Sequence, residues 1–183
     1  MQMKKTYKIL LTLLLIIIIT AVSFYIIKGK SVYEPAKYYL KVSPSDKNLD
    51  IGSTIDFKLP NQFNNVYQLT DDTKKMVFAF SQETGHLIRD FLETKLEGYL
   101  TDKKTIVISD ISEAPTVIQN TFIIPSLNES KYKMLLIFDE EMAKTLKEGK
   151  DITKAILITL DDKKVLKVDY ASNTEELEKF IEQ

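Results

Sequence analysis

The pattern of apolar and polar positions changes character at residue 28. Ile9 to Ile27 run without a charge, a length close to the ~20 apolar residues that carry a helix across a hydrocarbon core. The run is apolar on every side, whereas a helix of a soluble core keeps one polar face. Lys4, Lys5 and Lys8 precede it, and Lys28 and Lys30 follow. Ala21-Val22-Ser23 offers a small-residue cleavage site, but Phe24-Tyr25-Ile26-Ile27 carries the apolar run past it. Residues 9–27 therefore read as an uncleaved transmembrane signal anchor that contacts the lipid bilayer, rather than as a cleaved signal peptide. The short basic tail, residues 1–8, is expected to stay cytoplasmic. That makes the protein single-pass in the cytoplasmic (inner) membrane, with its C-terminal part on the extracytoplasmic, periplasmic side. Residues 28–50 mix Pro, Ser and charge with little period and read as a tether. Its aromatics Tyr33, Tyr38 and Tyr39 suit either the membrane interface or a cover over the domain.

From residue 51 to 183 the pattern alternates between strand and helix. Ile55-Asp56-Phe57-Lys58-Leu59 has period two, Asn61 to Asn65 supply turn residues, and Val66-Tyr67-Gln68-Leu69 resumes the alternation, which predicts a β-hairpin. Met76 to Phe80 is a continuous apolar run of strand length, suited to a sheet covered on both faces. Leu87, Ile88, Phe91, Leu92, Leu96 and Leu100 then recur at helical spacing, with Thr84 and Gly85 at the start. Thr105 to Ser109 is a second buried strand, so the two strands are expected to be parallel and joined by a right-handed crossover. Pro115 opens a helix over Thr116 to Ile123, and Pro125 is expected to end it. Met134 to Phe138 is a third apolar strand, and Glu140 to Leu146 a short helix. Ala155–Leu160 and Val165–Asp169 flank Asp161-Asp162-Lys163-Lys164 as a hairpin. Ser172-Asn173-Thr174-Glu175 has the spacing of a capping box for a last helix that buries Leu177, Phe180 and Ile181. The expected architecture is α/β, a mixed sheet packed on both faces.

Composition narrows the chemistry. The 183 residues carry a net charge of −1, with Lys and acidic residues interleaved, so no basic field exists to attract nucleic acid. There is no Cys, which removes disulfides, thiol nucleophiles, Cys-ligated zinc and iron–sulfur sites. With one His, His86, a zinc tetrahedron of the usual kind has no donor set, and no metal site is expected. Five glycines form neither a Gly-x-Gly-x-x-Gly nor a Walker loop, so no nucleotide or flavin cofactor is expected. No Ser stands in a Gly-x-Ser-x-Gly elbow.

The order of elements resembles the thioredoxin-like superfamily, within it the peroxiredoxin-like and membrane-tethered thioredoxin-like branches. Ile51-Gly52-Ser53-Thr54-Ile55-Asp56-Phe57-Lys58-Leu59-Pro60-Asn61-Gln62-Phe63 resembles the opening hairpin of those branches, and Ala155 to Ile181 their closing hairpin and helix. The resemblance implies a three-layer sandwich with a mixed central sheet and an N-terminal β-hairpin, here preceded by one transmembrane helix. It also implies a reactive Cys at the start of the helix after the first buried strand, where this chain has Ser81-Gln82-Glu83-Thr84-Gly85-His86. A helix N-terminus serves such a cysteine by lowering its pKa, and the hydroxyls of Ser81 and Thr84 titrate too high to stand in without a general base. The cis-Pro that the resemblance implies beside the redox site is missing as well, since Lys154 and Ala155 occupy its place. Thiol–disulfide oxidoreductase and thiol peroxidase activities are therefore excluded.

Two places remain as candidates for ligand or partner contact. Glu83, Thr84, His86 and Arg89 gather at one helix N-terminus, His86 and Arg89 three apart on a common face. The helix terminus favours negative charge and Arg grips a carboxylate bidentately. The plain alternative is a surface His and an Arg paired with Asp90 or Glu93. Asp110 and Ser112 lie in a strand-to-helix loop at the carboxyl end of the sheet, where open α/β folds bind ligands, although turn chemistry alone also accounts for them. The leading functional expectation is a redox-inactive interaction or assembly module with a membrane or periplasmic protein partner. The alternatives are a non-thiol, cofactor-dependent oxidoreductase and a small-ligand-binding protein, each using the His86 and Arg89 region.

Overall fold

A computed structural model describes residues 2–44 and 48–183, with side chains from Tyr7 onward. The side chains of Lys4 and Lys5, and residues 45–47 of the expected tether, lie outside the described residues. The chain opens with α1 (Gln2–Lys28), of which Tyr7–Lys28 is long and apolar enough to cross a membrane and touches little of the rest of the protein.

Beyond α1 the strands are β1 (Tyr39–Ser43), β2 (Thr54–Pro60), β3 (Val66–Gln68), β4 (Lys75–Ala79), β5 (Thr105–Asp110), β6 (Met134–Ile137), β7 (Ala155–Asp161) and β8 (Lys164–Ala171). They form one mixed sheet in the order β1-β2-β8-β7-β4-β5-β6, with β3 also on β2. β4, β5 and β6 are parallel, the geometry that a strand–helix–strand succession requires, and the other pairings are antiparallel. The alternation of side chains along β4 splits the core in two. Met76 and Phe78 face one side, with Phe57, Ile108, Ile156 and Leu146. Val77 and Ala79 face the other, with Ile88, Phe91, Leu177 and Ile181. The first side is covered by α6 (Glu140–Lys147), the second by α2 (Gln82–Glu93) and α7 (Thr174–Glu182), which makes three layers.

Several expectations shift. Tyr39–Ser43, expected within the tether, pairs with β2 from Tyr39↔Lys58 to Ser43↔Thr54, and buries Val42. Tyr33 stacks between Tyr38 and Phe138, at 5.3 and 5.1 Å, so these rings cover the domain. The helix carrying Ile88 and Phe91 ends at Glu93, and Leu96 is 85% exposed. Gly98, at φ +90°, turns the chain into a separate short helix, α3 (Tyr99–Asp102), which buries Leu100. Pro125 does not end its helix. α4 (Thr116–Ile118) passes through a π turn, Gln119–Ile123, into α5 (Ile124–Asn128), which has Pro125 in its first turn. Pro has no N–H to give the carbonyl of Thr121, and the wider π turn absorbs that break. The last helix starts one residue later than the capping-box spacing suggests, with Asn173 accepting from the Glu176 N–H at 2.9 Å.

Candidate functional site

Parallel pairing of β4 and β5 brings their carboxyl ends side by side, so the two loops that leave them share one edge of the sheet. From β4 the chain turns at Ser81 into α2. The Ser81 hydroxyl accepts from the Thr84 N–H at 3.2 Å, and the Thr84 hydroxyl accepts from the Ser81 N–H at 3.0 Å while donating to the Ser81 carbonyl. Both hydroxyls are thus committed to capping, and Thr84 is only 2% exposed. Glu83 stands exposed on the first turn, its carboxyl held below the usual range by its own backbone N–H, then by the Ser81 hydroxyl and the charge of His86. His86 is exposed on the next turn. Arg89 lies partly exposed, its guanidinium 3.4 Å from Asp90 and 3.9 Å from Glu93.

From β5 the chain leaves at Asp110, whose side chain is 4% exposed. One carboxylate oxygen accepts from the Ser112 backbone N–H at 2.9 Å and from the Ser112 hydroxyl at 2.6 Å; the other lies 3.4 Å from Lys147 Nζ. Lys147 also bridges to Glu113, and that hydrogen bond is the main reason its ammonium is held above, and Glu113 below, their ordinary pKa ranges. Gln119, 5% exposed, donates to the carbonyls of Ile111 and Ala114 at 2.9 and 2.8 Å and so fixes the curl of the same loop.

Between these two loops and the α4–α5 segment lies a groove of about 650 Å³. Its floor and far wall are apolar, with Phe80, Ile111, Ile123, Leu127 and Met134, and its lip carries His86, Arg89, Asp110 and Glu113. The two places expected as separate candidates are therefore walls of one cavity. His86, Arg89 and Asp110 line it; Glu83, Thr84 and Ser112 stand beside it, the last two engaged in backbone turns. Gln119 and Lys147 shape the site without having been singled out in the sequence. Lys147 lies 37 residues from its Asp110 partner, a separation that leaves no local pattern. Among the described residues no three His, Asp or Glu side chains converge as a metal site.

A structure proposed to be the thiol:disulfide interchange protein DsbE of Chlorobium tepidum superposes with a TM-score of 0.50 at 18% identity, over 73% of this chain and 96% of that one. The chain has a thioredoxin-like fold. A peroxiredoxin-like protein of Aquifex aeolicus (TM-score 0.47, 13% identity, 78% of this chain and 91% of that one) is also similar. So is a SCO1/SenC family lipoprotein of Bacillus anthracis str. Ames (0.45, 15%, 74% and 96%). The sequence matches no protein-family model and no curated protein. In this thioredoxin-like domain a hydroxyl capping box closes the start of α2, and no sulfhydryl exists anywhere in the chain.

Proposed function

We propose that the protein is a membrane-anchored, redox-inactive thioredoxin-like module that works by binding, with the groove between α2, the β5–α4 loop and the α4–α5 segment as its contact site. The observation that carries this reading is an apolar cavity of about 650 Å³ opening beside the start of α2 in a chain without cysteine. Apolar floor supplies the bulk of a binding free energy, while the few charged groups on the lip fix orientation. The partner is a membrane or periplasmic protein that offers an apolar segment flanked by charge. It meets the domain on the extracytoplasmic face of the inner membrane, since the basic N-tail favours that orientation. A photoreactive residue at Gln82, on the groove lip, should give a discrete adduct with one partner in intact cells. Adducts identical to those from the same probe at Leu96, beyond the far end of α2, would refute a specific site.

A second reading is favoured by the size of the cavity, which falls within the ~300–1,000 Å³ typical of small-molecule pockets. It makes the protein a small-ligand binder or a cofactor-dependent oxidoreductase. Ligand-dependent thermal stabilisation, or a coloured group that co-purifies with the chain, would favour it over a protein partner.

A further inference from the structure

We infer that Ile118 and Phe122 enter the polar interface of the bilayer crossed by α1, so that the α4–α5 segment is a second membrane contact that seats the domain. The inference rests on α1 spanning the membrane, and three features of the junction carry it.

The first is the clamp at the end of α1. Asn120 uses one amide nitrogen to donate to the carbonyl of Lys28 at 2.7 Å and to that of Lys30 at 2.8 Å. The Lys28 carbonyl is one that a helix end leaves without a partner, and Lys30 lies two residues beyond that end. Val117 packs at the same joint, 3.7 Å from the position a Cβ would take on Gly29. The α4–α5 segment is thereby held against the last turn of α1 and does not hang on a free tether.

The second is depth. Tyr7–Lys28 is 22 residues, and at ~1.5 Å of rise each it spans about 33 Å, close to the ~30 Å of a hydrocarbon core. Lys28 then marks the boundary of that core, beyond which the headgroup layer continues for ~5–8 Å. Asn120 touches Lys28 directly, and Phe122 follows two residues on, about 3 Å of helical rise. Seated as proposed, both lie in that layer.

The third is chemistry. Ala114 to Asn128 is the longest uncharged stretch outside α1 in a chain of 28% charged residues. Within it Phe122 is 63% exposed and Ile118 40% exposed. Aromatic rings are favoured at the headgroup level, and apolar side chains on a helix lying in the interface plane bury there. The same two residues line the outer wall of the groove, so its mouth opens beside the lipid surface.

The chain has no Trp, which makes single-Trp variants of the full-length protein clean depth probes. Phe122→Trp, Leu96→Trp and Phe24→Trp are reconstituted in vesicles of phosphatidylcholine and phosphatidylglycerol carrying nitroxide lipids labelled near the headgroup or deep in the acyl chain. Phe24→Trp, within α1, reports insertion; Leu96→Trp, 85% exposed beyond the far end of α2, reports a residue in water. Phe122→Trp is expected to show blue-shifted emission and quenching by the headgroup label about twofold or more above that of Leu96→Trp. Quenching equal to that of Leu96→Trp, with Phe24→Trp quenched normally, overturns the seating of the domain and leaves the anchor intact. Blue-shifted emission at 122 without lipid quenching means that protein covers the patch, which also overturns it. Failure of Phe24→Trp to be quenched refutes the spanning helix, and the proposal with it.

Discussion

Lys147 sits between two carboxylates, and the shorter contact is not expected to be the stronger one. Its Nζ bridges Glu113 closely and lies 3.4 Å from Asp110, yet the Glu113 side chain is 76% exposed and that of Asp110 4%. An exposed pair is screened and gains little, so Glu113→Gln should cost at most about 0.5 kcal/mol. Asp110→Asn keeps an oxygen for the Ser112 N–H and hydroxyl but turns an amide NH2, a donor without charge, toward Lys147, which should cost about 1–2 kcal/mol. Asp110→Ala also strands those donors and should cost about 2–4 kcal/mol. Lys147→Met leaves a buried carboxylate without its cation and should cost about 1–3 kcal/mol. Urea unfolding of the full chain in lipid nanodiscs, followed by far-UV circular dichroism with α1 as a constant background, measures each value. The Asp110→Asn and Lys147→Met pair should show a coupling of about 1 kcal/mol or more, since contacting residues are not additive. The pH must be neutral. Lys147, held high chiefly by Glu113, contributes fully below its ordinary value of ~10.5 and loses that contribution only as pH rises through its raised pKa. Glu113, held low chiefly by Lys147, contributes above ~4.3 and loses its share as pH falls through its depressed pKa. If Glu113→Gln costs as much as Asp110→Asn, or the cycle is additive within about 0.3 kcal/mol, the assignment by burial is wrong.

Ser81→Ala and Thr84→Val should each lower stability by about 1–2 kcal/mol through loss of the α2 capping box, read as a shifted urea midpoint at unchanged slope. Gly29→Ala would set a Cβ 2.6 Å from the carbonyl of Tyr25, and Asn120→Ala removes both hydrogen bonds to the end of α1, so each should speed proteolysis between residues 29 and 34 in nanodiscs. Burial pushes the Asp56 carboxyl up, but hydrogen bonds from Lys163 and Tyr39 hold it below the ordinary value. Its contribution is present above ~3.9 and fades as pH falls through the depressed pKa, so Asp56→Asn should flatten the acid limb of the stability profile below about pH 4.

The parts of the fold that were legible are those where burial writes itself into the residues. The apolar runs starting at Met76, Thr105 and Met134 fall on β4 (Lys75–Ala79), β5 (Thr105–Asp110) and β6 (Met134–Ile137), and continuous apolar runs of that length leave few other readings. Where one polar residue or one glycine decides, the pattern misleads. Leu96 continues the spacing of Leu92, yet the helix stops at Glu93 and Leu96 points into solvent. Pro125 carries the signature of a helix end, but a π turn lets the helix continue past it. β1 is only five residues between Pro35 and Pro44, too short for its period to stand out, and its place is set by the unpaired edge of β2. At the site, helical spacing put His86 and Arg89 together, and the crossover rule put Asp110 at the same end of the sheet. The sequence pattern did not join the two loops into one groove, because part of the wall that completes it comes from Leu127, beyond the proline expected to end the helix that carries Ile123.

That misplaced helix end and the misplaced tether bear on the same physical question, the distance of the groove from the end of α1 and so, under the proposed anchoring, its height above the membrane. A tether over residues 28–50 would be able to reach ~70–80 Å when extended, and the domain would sample partners far from the lipid. With β1 in the sheet and Asn120 on the end of α1, the chain from Gly29 to Glu34 is all that runs between α1 and the covered domain. Six residues extend to at most ~20 Å, and the hydrogen bonds of Asn120 hold them shorter still. With α1 in a bilayer and the domain seated as proposed, a partner for this groove would present its apolar segment within a few ångströms of the headgroups. Such a segment is found where a polypeptide enters or leaves a bilayer, so the proposed docking and the proposed partner constrain each other. Inserting about ten Gly and Ser residues after Lys30 in an Asn120→Ala background would lift the domain by up to ~30 Å without touching the groove. The Gln82 adduct should then disappear from intact cells although the domain stays folded. An adduct of unchanged yield would mean that the partner meets the groove away from the membrane surface.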